Sequence, residues 1–230
     1  MSIPQGYRDM LLSGMSVTLA LSLGALALAL VLGLIMASAK QSGNRLLTAV
    51  ATAYTTVVRG IPDIALMLLL YYSLQIWLNQ LTDALGWPQI DIDPFAAGII
   101  ALGVIYGAYF TETFRGAFLS VSPGQIEAGF AYGLTRWSCF RLVLFPQMMR
   151  FALPGIANNW LVMVKATALV SIIGLSDITK GAQDAGRGSG QMLFYLCVAA
   201  AFYLAVTSIS GVLIHWLNKR YSVGLHEVEL

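Results

Sequence analysis

Charge is what this chain has least of. Asp, Glu, Lys and Arg together make up 10% of its 230 residues, against about 25% in an ordinary soluble domain. Too few polar groups exist to cover a water-facing globule of this size, which excludes a free-standing soluble enzyme. A net charge of +2, with no run of five basic residues, lacks the electrostatic footprint of a nucleic-acid binder. Cysteine is nearly absent: Cys139 and Cys197 form neither a disulfide framework nor a metal-ligand spacing. The two histidines, His215 and His226, have no partners at metal spacing, so no metal site is expected. No Ser/His/Asp or Cys/His set lies in one neighbourhood. The stretch from Gly181 to Gly188 lacks the Lys and Ser/Thr that a phosphate-cradling loop requires. A cleavable signal is not expected at the start. The first apolar run, from Leu11 to Ala37, is far longer than a signal's core and only Arg8 precedes it.

What the chain does have is long apolar runs. Hydrophobic residues make up 58%, and the mean hydropathy is +0.75. A membrane helix needs about 20 mostly apolar residues. Runs at 11–38, 62–80, 95–119 and 192–217 meet that requirement. A fifth, 153–176, carries Asn158, Asn159 and Lys165, so it must face protein or a water-filled cavity. The expected fold is all-α: one integral membrane domain over residues 1–230 with five spans. The linker after the first span holds Lys40, Arg45 and Arg59. The central loop and its flanks hold Arg115, Arg136, Arg141 and Arg150, and the tail holds Lys219 and Arg220. Only Arg8, Lys180 and Arg187 fall on the other side. By the positive-inside rule the N-terminus is expected outside, and the central loop and C-terminus in the cytoplasm.

The central segment, about 120–150, is polar and glycine-punctuated. Ser122 suits an N-cap, Pro123 a first helical position, and Gln125 completes a capping box. Ile126, Phe130 and Leu134 recur at spacing four, and Gly133 stops the helix. Thr135 is placed to cap a second helix through Arg141 that ends before Pro146. The result is a helix–turn–helix at the membrane surface, with Phe130 and Tyr132 as an aromatic knob for a partner's groove. An ordinary loop with well-capped helices is the plainer alternative.

The order Glu127-Ala128-Gly129, Gly133, Phe145-Pro146 resembles the EAA loop of bacterial ABC importer permeases. The likeness extends through Arg59-Gly60-Ile61-Pro62, the segment Gly107 to Ala117, Leu153-Pro154 and Lys165-Ala166-Thr167-Ala168-Leu169. Together these cover nearly the whole chain and resemble the polar amino-acid permeases, notably members serving histidine, lysine, arginine and ornithine. The resemblance implies a type I importer fold and a bacterial inner-membrane, multi-pass location. It implies as partners a sibling permease subunit, two copies of an ATPase, a periplasmic amino-acid-binding protein and membrane lipid, with no nucleic acid. Coupling to the ATPase would fall to Pro123, Ile126, Glu127, Ala128, Gly129, Phe130, Tyr132 and Gly133. This chain would bind no cofactor, ATP and magnesium residing in the ATPase, and would not itself be an enzyme.

Within the spans Glu112 stands out, because an ionised group at a helix centre costs about 2.5–3.5 kcal/mol on insertion scales. Two readings stay open: a counter-charge for a basic amino acid in a midplane cavity, or a pair with Arg115 one turn away. Relatives often carry an acid where this chain has Ala166, which makes a two-acid site here doubtful. Thr111, Asn159, Met163 and Ser171 are the other candidate path residues. Arg59, with Asp63 four residues on, is a candidate gate or headgroup anchor. Gly103-x-x-x-Gly107 permits close helix packing. The rival from another class is a stand-alone secondary carrier. It accounts for Glu112 but not for the capped cytoplasmic helix, and no inverted repeat supports it.

Overall fold

The computed structural model describes residues 3–221, the last two as backbone only. His226 and the tail beyond residue 221 lie outside the described residues. Within them every regular element is helical, and five helices are long and apolar enough to cross a membrane.

The first, α1 (Gln5–Lys40), buries Gly14, Thr18, Ser22, Ala25, Ala29, Gly33 and Ala37. From Ser22 onward that row of small residues, one per turn, lets α4 (Pro94–Leu119) lie close against it, while Gly14 and Thr18 meet residues 177 and 178. A Cβ on Gly103 would come within 2.5 Å of Leu28, and one on Gly33 within 2.6 Å of Phe110. The Gly103/Gly107 pair is therefore internal architecture. α4 is the central post: Asp93 caps it, accepting from Ala96 N at 3.0 Å, with Pro94 in its first turn.

Between them stand α2 (Arg45–Gly60) and α3 (Asp63–Leu85). Residues 45–60, expected as a linker, are too short and polar to span. They form a full helix, capped by Asn44, which accepts from Leu46 N at 2.9 Å. After α3 the chain loops through 87–93, held by Gln75, whose amide donates to Ile90 O and accepts from Ile92 N.

Beyond α4 comes the short α5 (Pro123–Ala131), followed by one long composite helix. It begins as α6 (Arg136–Cys139), widens into a π-helical turn (Phe140–Leu144) and continues as α7 (Phe145–Ala166). It then tightens into a 3₁₀ segment (Thr167–Ile173). This corrects two expectations: the fourth span starts well before residue 153, and the helix capped by Thr135 does not stop before Pro146. Pro146 lacks an N–H and its ring crowds the preceding turn. The wider π turn ahead of it accommodates both and lets the helix run on. At the far end, α8 (Ile178–Ser189), capped by Asp177, packs on α1 and on α9 (Met192–Tyr221).

Burial is uneven. In its most apolar 18-residue window α4 is 61% buried, whereas α3 is 11% and α9 is 6% buried. The bare apolar faces of α3 and α9 need a cover from outside the chain.

Candidate functional site

Two places gather the residues that the sequence singles out. The first is the hairpin of α5 and α6, which protrudes at the basic end of the bundle. Ser122 takes the extended N-cap conformation, but its side chain makes no cap bond; instead its carbonyl accepts from Gln125 N at 3.0 Å. The expected capping box is therefore absent, and Pro123 with its fixed φ starts the helix. The other end is tightly made. Gly133 has φ +81°, Gly133 N donates to Phe130 O at 2.9 Å, and Leu134 N donates to Gly129 O at 3.1 Å. These two bonds form a Schellman stop.

The inner face of α5 is Gly129, buried so tightly that a Cβ there would lie 3.0 Å from the Cys139 sulfur. Ile126 is half-buried beside it, and Thr135 Oγ1 accepts from Ser138 N to start α6. Outward-facing are Pro123, Glu127, Ala128, Phe130 and Tyr132, the last 90% exposed. Trp137, which the sequence reading passed over, is 69% exposed and stacks on Phe140 at 5.6 Å. Its signal was its position just after a cap, next to the other two aromatics.

The second place is in the spans. Glu112 lies level with Lys40, the last residue of α1, and so near the basic end rather than at mid-depth. Its Oε1 accepts from Lys40 Nζ at 2.5 Å and its Oε2 from Arg115 Nε at 2.8 Å. Lys40 also donates to Thr55 Oγ1 at 2.7 Å. One carboxylate thus ties α1, α2 and α4 together, and both its oxygens are engaged. The pairing with Arg115 was legible from spacing; Lys40 comes from 72 residues away and was not.

Arg59 and Asp63 do not pair. Ile61 and Pro62 are extended, so the i,i+4 relation of a continuous helix is lost. Instead the Arg59 guanidinium lies over the Tyr109 ring at 5.4 Å, and Asp63 accepts from Tyr106 Oη at 3.1 Å. Thr111 and Met163 are fully buried, and neither borders an open face of the chain. Ser171 is half-buried with its hydroxyl turned back to Ala168 O. Asn159 is half-buried and donates to Thr113 Oγ1 at 3.0 Å.

Next to Asn159, one stripe of α7 is uncovered: Phe151, Pro154, Asn158, Val162 and Lys165 are all exposed. At 3.6 residues per turn they fall within roughly 80° of the helix circumference. Neither Asn158 nor Lys165 has a polar partner among the described residues. Such a stripe cannot face hydrocarbon at low cost.

An apolar bundle with five helices fit to cross a membrane, an uncovered wall on α7 that carries Asn158 and Lys165, and a capped hairpin at its basic end is the fold of an integral membrane component. Residues 29–223 match the family described as "Binding-protein-dependent transport system inner membrane component", and the chain belongs to that family. Over 225 residues it is 51% identical to the histidine/lysine/arginine/ornithine transport system permease protein HisQ of Escherichia coli (strain K12), covering 98% of this chain and 99% of that one. It is 35% identical to the octopine transport system permease protein OccQ of Rhizobium radiobacter, covering 96% and 94%. A crystal structure of an amino acid ABC transporter with histidines superimposes with TM-score 0.78 at 29% identity, covering 96% of this chain and all of that one. The type I importer permease fold and the inner-membrane location follow.

Proposed function

We propose that this chain is the permease subunit of an ATP-driven, binding-protein-dependent importer of basic amino acids: histidine, lysine, arginine and ornithine. The observation that carries the reading is the protruding α5–α6 hairpin, capped and stiff, with Phe130, Tyr132 and Trp137 exposed. Its partner is an ATPase subunit, present in two copies, in which ATP and magnesium are held. A sibling permease covers the uncovered wall of α7 and completes the path, with Asn159 and Ser171 beside it. A loaded periplasmic receptor docks at the end carrying α8. Closure of the ATPase pair carries the hairpins with it and turns the path outward; hydrolysis resets it. The switch requires each partner to bind the two states unequally.

With both oxygens held by Lys40 and Arg115, Glu112 acts as a clamp on the cytoplasmic ends of α1, α2 and α4. If Glu112→Gln assembles but loses lysine and histidine uptake selectively, a direct counter-charge role replaces the clamp. The main test is ATP hydrolysis in proteoliposomes holding this chain, a sibling and the ATPase. Receptor loaded with a basic amino acid should stimulate it, and Glu127→Lys should remove the stimulation. Substrate-specific flux driven by an ion gradient without ATPase would instead establish a secondary carrier.

A further inference from the structure

Pro146 stands inside the composite helix that begins at Arg136 and runs on through α7. In α register its missing N–H would leave Leu142 O without a partner, and its ring would press on that same carbonyl. The chain does not break there. It adds one residue to the turn: Phe145 N donates to Phe140 O, five residues back instead of four. Packing of the apolar run on both sides keeps the helix continuous, and the proline decides that the turn is π. The seat of α5 lies on this same turn. A Cβ on Gly129 would meet Cys139 Sγ at 3.0 Å, just ahead of the turn, and Val143 at 3.6 Å, within it. The Phe140 ring lies between those of Trp137, at 5.6 Å, and Phe145, at 5.9 Å. The hairpin therefore hangs from a widened turn of the span.

We infer that Pro146 is a positioning residue: by excluding the α register it sets the direction in which the α5–α6 hairpin faces. This rests on the importer reading above, in which the hairpin meets the ATPase. One residue more or less in a helical turn rotates everything beyond it by about 100° and shifts it by about 1.5 Å. Packed helix axes lie about 8–10 Å apart, so α5 swung through that angle about the composite helix would move by more than about 10 Å. Phe130, Tyr132 and Trp137, exposed on the hairpin, would then face away from the groove they serve. The extra residue sets the angle and the proline holds it. A proline that only stiffens the helix would leave this direction unchanged when it is replaced. A register error, unlike a loss of stiffness, is cancelled by taking one residue out.

The test uses the complex of both permeases with the ATPase in proteoliposomes, assayed for ATP hydrolysis with arginine-loaded receptor. Pro146→Ala should admit the α register and lose the stimulation. Deleting Leu142, which is 64% exposed and takes little packing with it, should restore stimulation in the Pro146→Ala background. The turn then closes as α with the hairpin at its original angle. The same deletion with Pro146 retained should not restore it, because the ring again meets a carbonyl four residues back. Full stimulation in Pro146→Ala, or a double variant no better than Pro146→Ala alone, overturns the assignment. If Pro146→Ala does not assemble, the double variant must recover assembly; if it does not, the assignment falls. Electron cryomicroscopy of the Pro146→Ala complex reads the register without reference to transport. Phe145 N should donate to Arg141 O there, and a bond still made to Phe140 O overturns the assignment. If wild type is stimulated with no basic amino acid, the substrate reading fails, while the register is still decided by that bond.

Discussion

Lys40 shows how a single side chain can organise an end of a membrane bundle. Its side chain is 10% exposed, and its ammonium would be a costly orphan without Glu112. Removing one partner of such a pair leaves a poorly solvated charge. Glu112→Gln should therefore lower unfolding stability by about 2 kcal/mol, the partial exposure of Arg115 moderating the loss; thermal melts of the purified complex measure it. At Gly133 the cost is purely conformational, since no atom lies within 4 Å of where a Cβ would sit. Gly133→Ala at φ +81° should destabilise the hairpin by about 1 kcal/mol, seen as faster amide exchange in α5. Asp177 is fully buried, with Oδ1 accepting from Lys180 N and Oδ2 unpartnered. Burial raises its pKa above the usual 3.8. The folded state then holds this proton more tightly than the unfolded state, so stability falls as pH rises from about 4 through the folded pKa and is level above it. Asp177→Asn, which keeps a capping oxygen, should flatten that slope in melts between pH 4 and 7.

At the scale of elements, the decisive joint is α5 against α6. Only Gly129 allows the two to touch, because Cys139 fills the space a side chain would need. Gly129→Leu should push α5 off its seat and abolish receptor-stimulated ATP hydrolysis while the subunit still assembles. ATP hydrolysis and size-exclusion chromatography on the same sample would separate the two effects. α5 and its stop were legible in the sequence because Pro123 and Gly133 act locally, through backbone dihedrals. α2 and α8 were legible only in their caps, Asn44 and Asp177, and were passed over because neither run is long enough to span. The continuation through Pro146 was not legible. A proline reads as a stop unless a π turn precedes it, and that turn forms because the apolar run on both sides is packed as one helix.

For the whole molecule, the contrast between the buried α4 and the bare α3 and α9 makes the isolated chain an incomplete object. Anything that binds only the folded form stabilises it by mass action. Co-expression with the sibling permease proposed above should raise the melting temperature by several degrees over the chain alone, as measured by scanning fluorimetry in detergent. No rise would mean that lipid alone covers these faces.

Composition and hydropathy by themselves determined that the chain is a helical membrane protein with five spans and a basic end. Those properties depend only on how many residues can bear hydrocarbon and where the lysines and arginines fall. The motif order was enough to suggest the family. Only tertiary structure decided which ionised groups are satisfied. Lys40 and Glu112 are 72 residues apart in sequence, and Arg59 and Asp63, four apart, go to different tyrosines. Charge pairing acts over a few ångströms in space, so sequence separation could neither find the first pair nor exclude the second. Packing alone left Lys165 exposed, with no polar partner among the described residues.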